Sequence, residues 1–244
     1  MSGGLRVTME PAYVLHHRPY RETSSLLELL TEAHGRIGAV ARGARQAASR
    51  WRGLLQPFRP LLLSWSGRGE LVTLTAAEGA SGMLGIPASR LMSAYYANEL
   101  LMRLLARSDP QRGVFLAYAS VLAELAGAGP EAPALRLFEK RLLDALGYGL
   151  ALTHDALTGE PLQPERYYAY RLERGPQGVG IAEGELVLVG SSLLALATER
   201  LDGETALKDA RRLLRAALDL YLGERPLKTR EVGRALRRRT GPVS

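Results

Sequence analysis

The segment Ser25–Ala41 reads SLLELLTEAHGRIGAVA, and it decides the expected fold of the first third of the chain. Its two apolar parts, Ser25–Thr31 and Arg36–Ala41, have the length and composition of short β-strands. The four residues EAHG that join them end in Gly35, which can adopt the positive φ that a tight hairpin needs. The segment therefore predicts a β-hairpin.

A second hairpin is predicted further along the chain, where Leu61–Ser66 and Leu71–Thr75 flank Gly67–Gly69. With an apolar run at Ala12–Leu15, the first 81 residues hold about five short strands. Closing such strands into a small barrel removes the exposed sheet edges. An OB-fold has this size, and an SH3-like barrel fits the same pattern nearly as well.

The apolar period becomes helical beyond residue 82, which is the only clear domain boundary in the sequence. One helix is predicted over Ser89–Ala106. Asp109 and Pro110 then offer an N-cap and a first helical position for a second helix, which stops at Gly127. A third helix is predicted over Pro133–Leu146. The short connections between the three helices predict a bundle.

Two short strands, Tyr167–Leu172 and Glu185–Val189, are predicted where the helical pattern breaks after residue 150. A further helix is expected to follow, with Ser191 or Ser192 as its N-cap. The last predicted helices span Thr205–Tyr221 and Arg230–Arg239.

These elements predict an α+β protein with an OB-like barrel domain at residues 1–81 and a helical domain at 82–244, into which a small β-containing subdomain is inserted at 150–190. The 244 residues suffice to bury a core. The chain has no cysteine, which excludes disulfides and thiolate metal sites and fits a cytoplasmic protein. No apolar run approaches the roughly 18 residues of a membrane span, and the start of the chain lacks the pattern of a secretory signal.

Positive charge is concentrated at both ends of the chain, which has a formal net charge of +7. Residues 1–81 carry a net +4, residues 82–203 a net −3 and residues 204–244 a net +6. A polyanion is the natural partner of such basic ends. The alternative is that arginine-rich surfaces only confer solubility.

Residues 33–69 contain seven arginines and no acidic residue. Trp51, Phe58 and Trp65 are interleaved with them, and single-stranded nucleic acids bind where cations meet stackable aromatic rings. Phe58 and Trp65 lie among leucines, which favours a role in the core, whereas exposure of Trp51 as a stacking platform is left open. Because no acidic residue of this segment neutralises the seven arginines, they favour phosphate binding.

A second basic cluster begins with Lys208, Arg211, Arg212 and Arg215, which share one helix face, and it continues past Lys228. Such like charges repel unless an anion lies opposite, although a solvated helix face explains them equally well. The predicted DNA contacts in the two clusters are Arg36, Arg42, Arg45, Arg50, Arg52, Arg68, Arg211, Arg215, Lys228 and Arg230.

The sequence contains no phosphate-binding loop, no dinucleotide fingerprint and no nucleophile elbow. His16 and His17 are adjacent in a strand-like segment, so they are expected on opposite faces and not on one metal. No catalytic residue, cofactor or metal is expected. A metal-dependent nuclease assembled from distant acids is the enzyme alternative.

Several ordered motifs together span nearly the whole chain. They include YVLHHRPYRETS at Tyr13–Ser24, TEAHGRIGAVARGAR at Thr31–Arg45, GLLQPF at Gly53–Phe58, YANELL at Tyr96–Leu101 and PLKTRE at Pro226–Glu231. In this order the motifs resemble those of the RecO family. The resemblance implies an N-terminal OB-fold followed by helices with a small inserted subdomain.

The resemblance also implies a non-enzymatic mediator of DNA repair and homologous recombination in the bacterial cytoplasm, associated with the nucleoid. Such a protein binds single- and double-stranded DNA and anneals complementary strands. With RecR, and with or without RecF, it helps to load RecA on DNA coated by single-stranded-DNA-binding protein. An OB-domain RNA-binding protein is the alternative, because RNA also presents phosphates and stackable bases.

Two further expectations follow from the resemblance. The acidic C-terminal tail of the coating protein docks on the helical region of related members, which implicates Arg136, with Arg141 as a neighbour on the same helix. Some members also hold zinc through four cysteines in the inserted subdomain. This chain has only His154 there, so zinc should be absent, and Tyr167, Tyr168 and Tyr170 would hold the subdomain by packing.

Overall fold

The chain forms two compact units in a computed structural model that describes residues 6–80, 82, 85–178 and 184–239. The first unit comprises residues 1–127 and 227–244, and the second comprises residues 128–226. The second unit is therefore inserted into the sequence of the first. No helix among the described residues is long and apolar enough to cross a membrane.

Five strands form a closed barrel in the first unit: β1 (Arg6–Tyr20), β2 (Ser24–Thr31), β3 (Gly35–Ala41), β4 (Leu61–Ser66) and β5 (Leu71–Gly79). Their order around the barrel is β1-β2-β3-β5-β4. Only β3 and β5 pair in parallel, and the other neighbours are antiparallel. The predicted α+β class with an N-terminal OB-like barrel is confirmed.

Strand β1 closes the barrel because it pairs with two neighbours along its length. Its first part pairs with β4 and its second part with β2, and its register shifts between Val14 and His16. A bulge of this kind bends a strand and increases its twist. The interior is filled by alternate strand residues such as Leu29, Ile37 and Leu63, each at most 4% exposed, and each contributes about 1.5–3 kcal/mol by burial.

Helices α1 (Leu91–Leu104) and α2 (Arg112–Ala126) follow the barrel. A buried hydrogen-bond chain ties them to β1: the Asn98 amide donates to the carbonyl oxygen of Leu15 at 2.8 Å, and the Tyr118 hydroxyl donates to Asn98 Oδ1 at 2.5 Å. Burial raises the pKa of Tyr118, so its hydroxyl stays a donor.

The prediction that Asp109 caps α2 and Pro110 begins it is wrong, since the helix begins at Arg112 without a side-chain cap. Residues before it are held in another conformation by the barrel. The Ser108 N–H donates to the Arg36 carbonyl at 2.9 Å, and Ser108 itself has a positive φ of 54°. Tertiary hydrogen bonding to β3 therefore delays the start of the helix.

The second unit contains α3 (Glu131–Ala145), α4 (Gly190–Ala197) and α5 (Glu204–Leu222). Helix α5 packs against both α3 and α4. The predicted bundle of the first three helices is wrong, because α3 belongs to this unit and α1 and α2 belong to the first. The final helix, α6 (Lys228–Arg239), returns to the first unit and packs on α1.

Helix α4 begins without the predicted serine cap. Its first residue is Gly190, and Ser192 is buried inside the helix. The N–H groups of Gly190 and Ser191 instead donate to the carbonyls of Arg166 and Pro164, at 2.8 and 2.7 Å. Backbone acceptors from the preceding loop thus replace the cap, because they satisfy the same orphan donors.

The inserted subdomain forms a three-stranded sheet of order β7-β6-β8, with β6 at Tyr167–Arg171, β7 at Gly175–Gln177 and β8 at Val187–Val189. Tyr168 and Tyr170 are buried as expected. The expectation for Tyr167 is wrong, because this side chain is 62% exposed. It lies on the other face of the strand from Tyr168.

A carboxylate joins the loops of this subdomain. Asp155 is buried; one of its oxygens accepts from the N–H groups of Leu157 at 2.8 Å and Thr158 at 3.3 Å, and the other accepts from the N–H of Gly178 at 2.9 Å. The Tyr168 hydroxyl accepts from the N–H of Gln163 at 2.9 Å. Within the described part of the chain, no group of three or more His, Asp or Glu side chains is arranged to hold a metal.

Candidate nucleic-acid interface

An open groove of about 800 Å³ runs across the barrel. Its walls come from the β1–β2 turn at Tyr20–Ser24, from the end of β3 with Val40, Arg42 and Gly43, and from the start of β5 at Leu71–Thr73. These three segments are distant in sequence. They meet because β3 pairs with both β2 and β5: Ser25 lies opposite Ala41, and Val40 lies opposite Thr73.

The groove lining holds two cations, Arg21 and Arg42, one acid, Glu22, and apolar surface. Arg21 and Arg42 are exposed, and the Arg21 guanidinium lies 5.3 Å from the centre of the Tyr20 ring. Leu71 is 47% exposed at the wall. A groove with cations along it and apolar or aromatic contacts within it suits a single nucleic-acid strand, whose phosphates and bases need those two kinds of contact.

Arg21 has a left-handed backbone with a φ of 51°, a conformation that is uncommon for side chains other than glycine. Two contacts from Arg45 hold this turn. The Arg45 N–H donates to the Thr23 carbonyl at 2.8 Å, and its guanidinium donates to the Arg21 carbonyl at 3.3 Å. Arg45 therefore both supports the turn and adds charge beside the groove.

The exposure of Trp51, which the sequence left open, is excluded by the structure, since this side chain is only 4% exposed. Its indole N–H donates to the Arg42 carbonyl at 2.9 Å, and the Arg50 guanidinium covers its ring at 4.3 Å. Phe58 and Trp65 are buried as well. The aromatic residues between the arginines are thus core residues, and Trp51 holds the loop that presents Arg42.

The other predicted contacts of the acid-free segment are spread over the barrel. Arg50, Arg52 and Arg68 are exposed, and Arg52 donates to the Ala47 carbonyl at 3.3 Å. Arg36 differs, because it is half-buried and donates to Glu28 at 3.4 Å. Burial lowers the pKa of Arg36, with Glu28 opposing and Arg107 adding to that effect, and Arg107 also pairs with Glu28. Arg36 belongs to this ion cluster and does not line the groove.

The second predicted cluster is divided between the two units. Arg211 and Arg215 are exposed on α5 in the second unit, where Arg215 lies 3.6 Å from Asp219. Lys228 and Arg230 begin α6 in the first unit, and Lys228 is exposed. These cations are close in sequence, but they belong to different compact units and are not treated as one patch.

Both residues predicted to bind a partner's tail lie on α3, and each faces an acidic residue of its own unit. Arg136 donates to buried Glu139 at 2.7 Å and is only 13% exposed. Arg141 lies 2.5 Å from Glu199. Hydrogen bonding from Arg141 lowers the pKa of Glu199 against the effect of burial, with further help from Lys140. A carboxylate that binds here competes with these internal partners.

Sequence reasoning missed Tyr20, Arg21 and Leu71 as groove residues. Arg21 lies in the motif Tyr13–Ser24, which was the available signal, but it stands outside the acid-free segment. Leu71 gave no signal, because an exposed leucine at the start of a strand resembles a core residue.

The closed β1-β2-β3-β5-β4 barrel with a cation-lined groove defines an OB-type barrel protein with a helical extension. Two family models cover almost all of the chain: "Recombination protein O N terminal" matches residues 5–83, and "Recombination protein O C terminal" matches residues 88–231. The chain belongs to the RecO family.

Relatives of known name agree over nearly full length. The DNA repair protein RecO of Alkalilimnicola ehrlichii is 50% identical over 241 residues, which cover 98% of this chain and 95% of that protein. The DNA repair protein RecO of Nitrosococcus oceani is 47% identical over 235 residues, 96% of each chain. The DNA repair protein RecO of Coxiella burnetii is 45% identical over 227 residues, which cover 93% of this chain and 98% of that protein.

Proposed function

We propose that the protein is a non-enzymatic mediator of DNA repair and recombination, which binds single- and double-stranded DNA and anneals complementary strands. The barrel groove between Arg21 and Arg42 carries this proposal, because its cations neutralise phosphates beside apolar surface. Residues 1–81 act as the DNA-binding domain in this proposal. The helical domain at 82–244 supplies further cations and the surfaces for protein partners.

Annealing follows from charge neutralisation. Two strands repel each other through their phosphates, and a protein that holds both on cationic surfaces lowers this repulsion and raises their effective concentration. The exposed cations of the barrel, of α5 and of α6 are the proposed contacts, and no nucleotide needs to be consumed. The reaction is therefore expected to weaken steeply as salt rises.

The proposed partners are those of a RecF-pathway mediator. They are the acidic C-terminal tail of single-stranded-DNA-binding protein, RecR, and RecF where it is present, and the outcome is loading of RecA on the coated strand at the nucleoid. Arg136 is the proposed contact for the terminal carboxylate of the tail, with Arg141 beside it. Binding exchanges their internal pairs with Glu139 and Glu199 for the tail.

Annealing of complementary oligonucleotides by the intact protein tests the proposal, with Arg21→Ala/Arg42→Ala as the groove variant. Arg200→Ala/Arg174→Ala is the matched control, because these two arginines are exposed in the second unit and lie outside the groove. The groove variant should anneal more slowly and bind single strands with a salt slope lower by about 2. Equal rates for the groove variant and the wild type would refute the role of the groove.

A second arm tests the partners and the alternative ligand. Strands coated by single-stranded-DNA-binding protein should anneal faster when that protein has its acidic tail than when the tail is deleted, and Arg136→Ala should remove the difference. Competition between DNA and RNA oligonucleotides of the same sequence should favour DNA. A preference for RNA would support an RNA-binding protein instead.

A further inference from the structure

One carboxylate of α1 holds the first turn of the basic helix α6. Glu99 Oε1 accepts from the Lys228 N–H at 2.8 Å, and Glu99 Oε2 accepts from the Thr229 N–H at 2.9 Å. The Thr229 hydroxyl donates to the same Oε2 atom at 2.6 Å. The first N–H groups of a helix have no acceptor within the helix, so Glu99 supplies from α1 what an N-cap normally supplies.

Electrostatics reinforces this contact. A carboxylate at a helix N-terminus is stabilised by the positive end of the helix dipole. Burial raises the pKa of Glu99. Hydrogen bonds from Thr229 and Lys228 and the charge of Arg103 lower it by more than burial raises it, so the pKa of Glu99 is lowered overall. Glu99 is therefore ionised at neutral pH, in the state that accepts all three hydrogen bonds.

Two adjacent contacts extend the anchor. Leu227, immediately before α6, is 1% exposed. The Arg230 guanidinium lies 5.7 Å from the centre of the Tyr96 ring, and it donates to the Tyr96 hydroxyl at 3.4 Å. Tyr96 and Glu99 are three residues apart, so they share one face of α1. That face fixes both the position and the direction of the beginning of α6.

Helix α6 is the most basic segment of the chain. It carries six Lys or Arg residues and one acid among its 12 residues. A negative charge at its start weakens the attraction of the helix for phosphates by Coulomb's law. Ordering a mobile cationic helix when DNA binds also costs conformational entropy, and prior anchoring removes that cost.

We propose that Glu99 is a positioning residue for DNA binding, which anchors the first turn of α6 so that Lys228 and Arg230 meet the DNA backbone in a fixed position. The inference rests on the proposed function, because it takes α6 as a DNA contact. It assigns to an acidic residue a favourable role in binding a polyanion.

The sign of the effect separates this role from simple electrostatics. Glu99→Gln removes a negative charge, which alone would strengthen DNA binding, and it also replaces an acceptor oxygen with an amide donor that faces the Lys228 N–H. The proposal predicts binding about threefold weaker, with a salt slope lower by about 1, because the contribution of one phosphate contact is lost. Glu124→Gln removes the same charge from an exposed position on α2 and should bind as the wild type or slightly more tightly.

A second pair of variants leaves the charge unchanged. Thr229→Val removes the hydroxyl donor to Glu99 and should weaken binding in the same sense, whereas Thr229→Ser keeps that donor and should restore wild-type affinity. Fluorescence anisotropy with labelled single- and double-stranded oligonucleotides between about 50 and 200 mM salt measures the affinity of the wild type and of the four variants. The chain has two tryptophans, Trp51 and Trp65, both buried in the barrel, so intrinsic fluorescence reports whether each variant keeps its barrel folded.

The outcomes separate the two proposals. A wild-type protein that fails to bind DNA refutes the proposed function itself. A wild type that binds, with Glu99→Gln as tight or tighter and an unchanged salt slope, overturns only the role of Glu99. Where Glu99→Gln does not fold, the threonine pair decides, and equal affinities for Thr229→Val and Thr229→Ser overturn the inference.

Discussion

Replacement of Asp155 by alanine is expected to open the inserted subdomain while the barrel stays folded. The Asp155 carboxylate accepts three backbone hydrogen bonds, from Leu157 and Thr158 on one side and from Gly178 on the other. The two segments are joined through this side chain, and Asp155 itself is buried. The variant removes both acceptor oxygens and leaves three backbone donors to find other partners.

The magnitude follows from the geometry of the three bonds. Two of them, at 2.8 and 2.9 Å, have ordinary lengths, and the third, at 3.3 Å, is long. Hydrogen bonds to a charged group contribute about 1.5–3 kcal/mol each. The lower value applies, because Leu157 is exposed and its hydrogen bond to Asp155 is only partly buried. The two good bonds then give a loss of about 3 kcal/mol in the free energy of unfolding of the subdomain.

Hydrogen exchange of the full chain measures this loss directly. The N–H groups of Ala156 and Leu162 donate within the subdomain, to Pro176 and Thr153. Their exchange should be faster by about a hundredfold in Asp155→Ala, since 1.4 kcal/mol corresponds to a factor of ten.

Glu165→Ala is the control, because Glu165 is an exposed acid close in sequence. If the Ala156 and Leu162 N–H groups exchange at the same rate in Asp155→Ala as in Glu165→Ala, Asp155 does not hold the subdomain together. Equal acceleration of exchange throughout the barrel would also contradict the prediction.

The same carboxylate predicts a pH dependence. Burial raises the pKa of Asp155, but the hydrogen bonds from Leu157, Gly178 and Thr158 outweigh it, so the pKa in the folded state is lowered. Its contribution to stability is then complete above the unfolded pKa of about 3.9 and is lost as pH falls through the folded value. Exchange corrected for intrinsic rates should stay constant between about pH 5 and 7 and accelerate below about pH 4. Acceleration that begins near neutral pH would contradict this assignment.

Two further predictions concern packing. Gly190→Ala should destabilise the second unit by at least about 2 kcal/mol in thermal unfolding. The reason is that a Cβ at this position would lie 2.0 Å from the carbonyl oxygen of Gln163. Gly85→Ala is the control and should change stability little, because the space around its Cβ is open. Trp51→Phe should cost about 1–2 kcal/mol in urea denaturation, because it loses the hydrogen bond to the Arg42 carbonyl. The affinity of Trp51→Phe for single strands should match that of the wild type, and a large loss by the folded variant would restore Trp51 as a base contact.

The barrel was predictable because its signals are local. Glycines mark the two hairpins, and Gly35 has a φ of 67° where the turn enters β3. The starts of α2 and α4 were not predictable from capping residues, since backbone groups of distant segments set them. Strand β7 was also missed, because its sequence, GPQ, favours turns. Pairing with β6 and a hydrogen bond from the Ala156 N–H to the Pro176 carbonyl hold it extended.

The candidate groove was predictable only in part. Arg42 and Arg45 stand in the acid-free segment, which composition alone identifies. Leu71 joins them because the parallel pairing of β3 with β5 brings residues some 30 positions apart to one wall. Arg21 joins them because β2 pairs with β3, which sets Ser25, just after the β1–β2 turn, opposite Ala41. Composition likewise grouped Arg215 with Lys228, which lie in different compact units. A cluster of charged residues in the sequence thus predicts the class of ligand better than it predicts which residues share one surface of the folded protein.

The insertion of the second unit within the first has a consequence for synthesis on the ribosome. Helix α6 follows residues 128–226 in the chain, and α1 ends at Leu104, so α1 emerges about 120 residues before the helix that covers it. At about 5–20 residues per second, this interval lasts about 6–25 s. Glu99 and the neighbouring face of α1 remain uncovered throughout that time, and the nascent first unit completes its folding only after the second unit has left the ribosome.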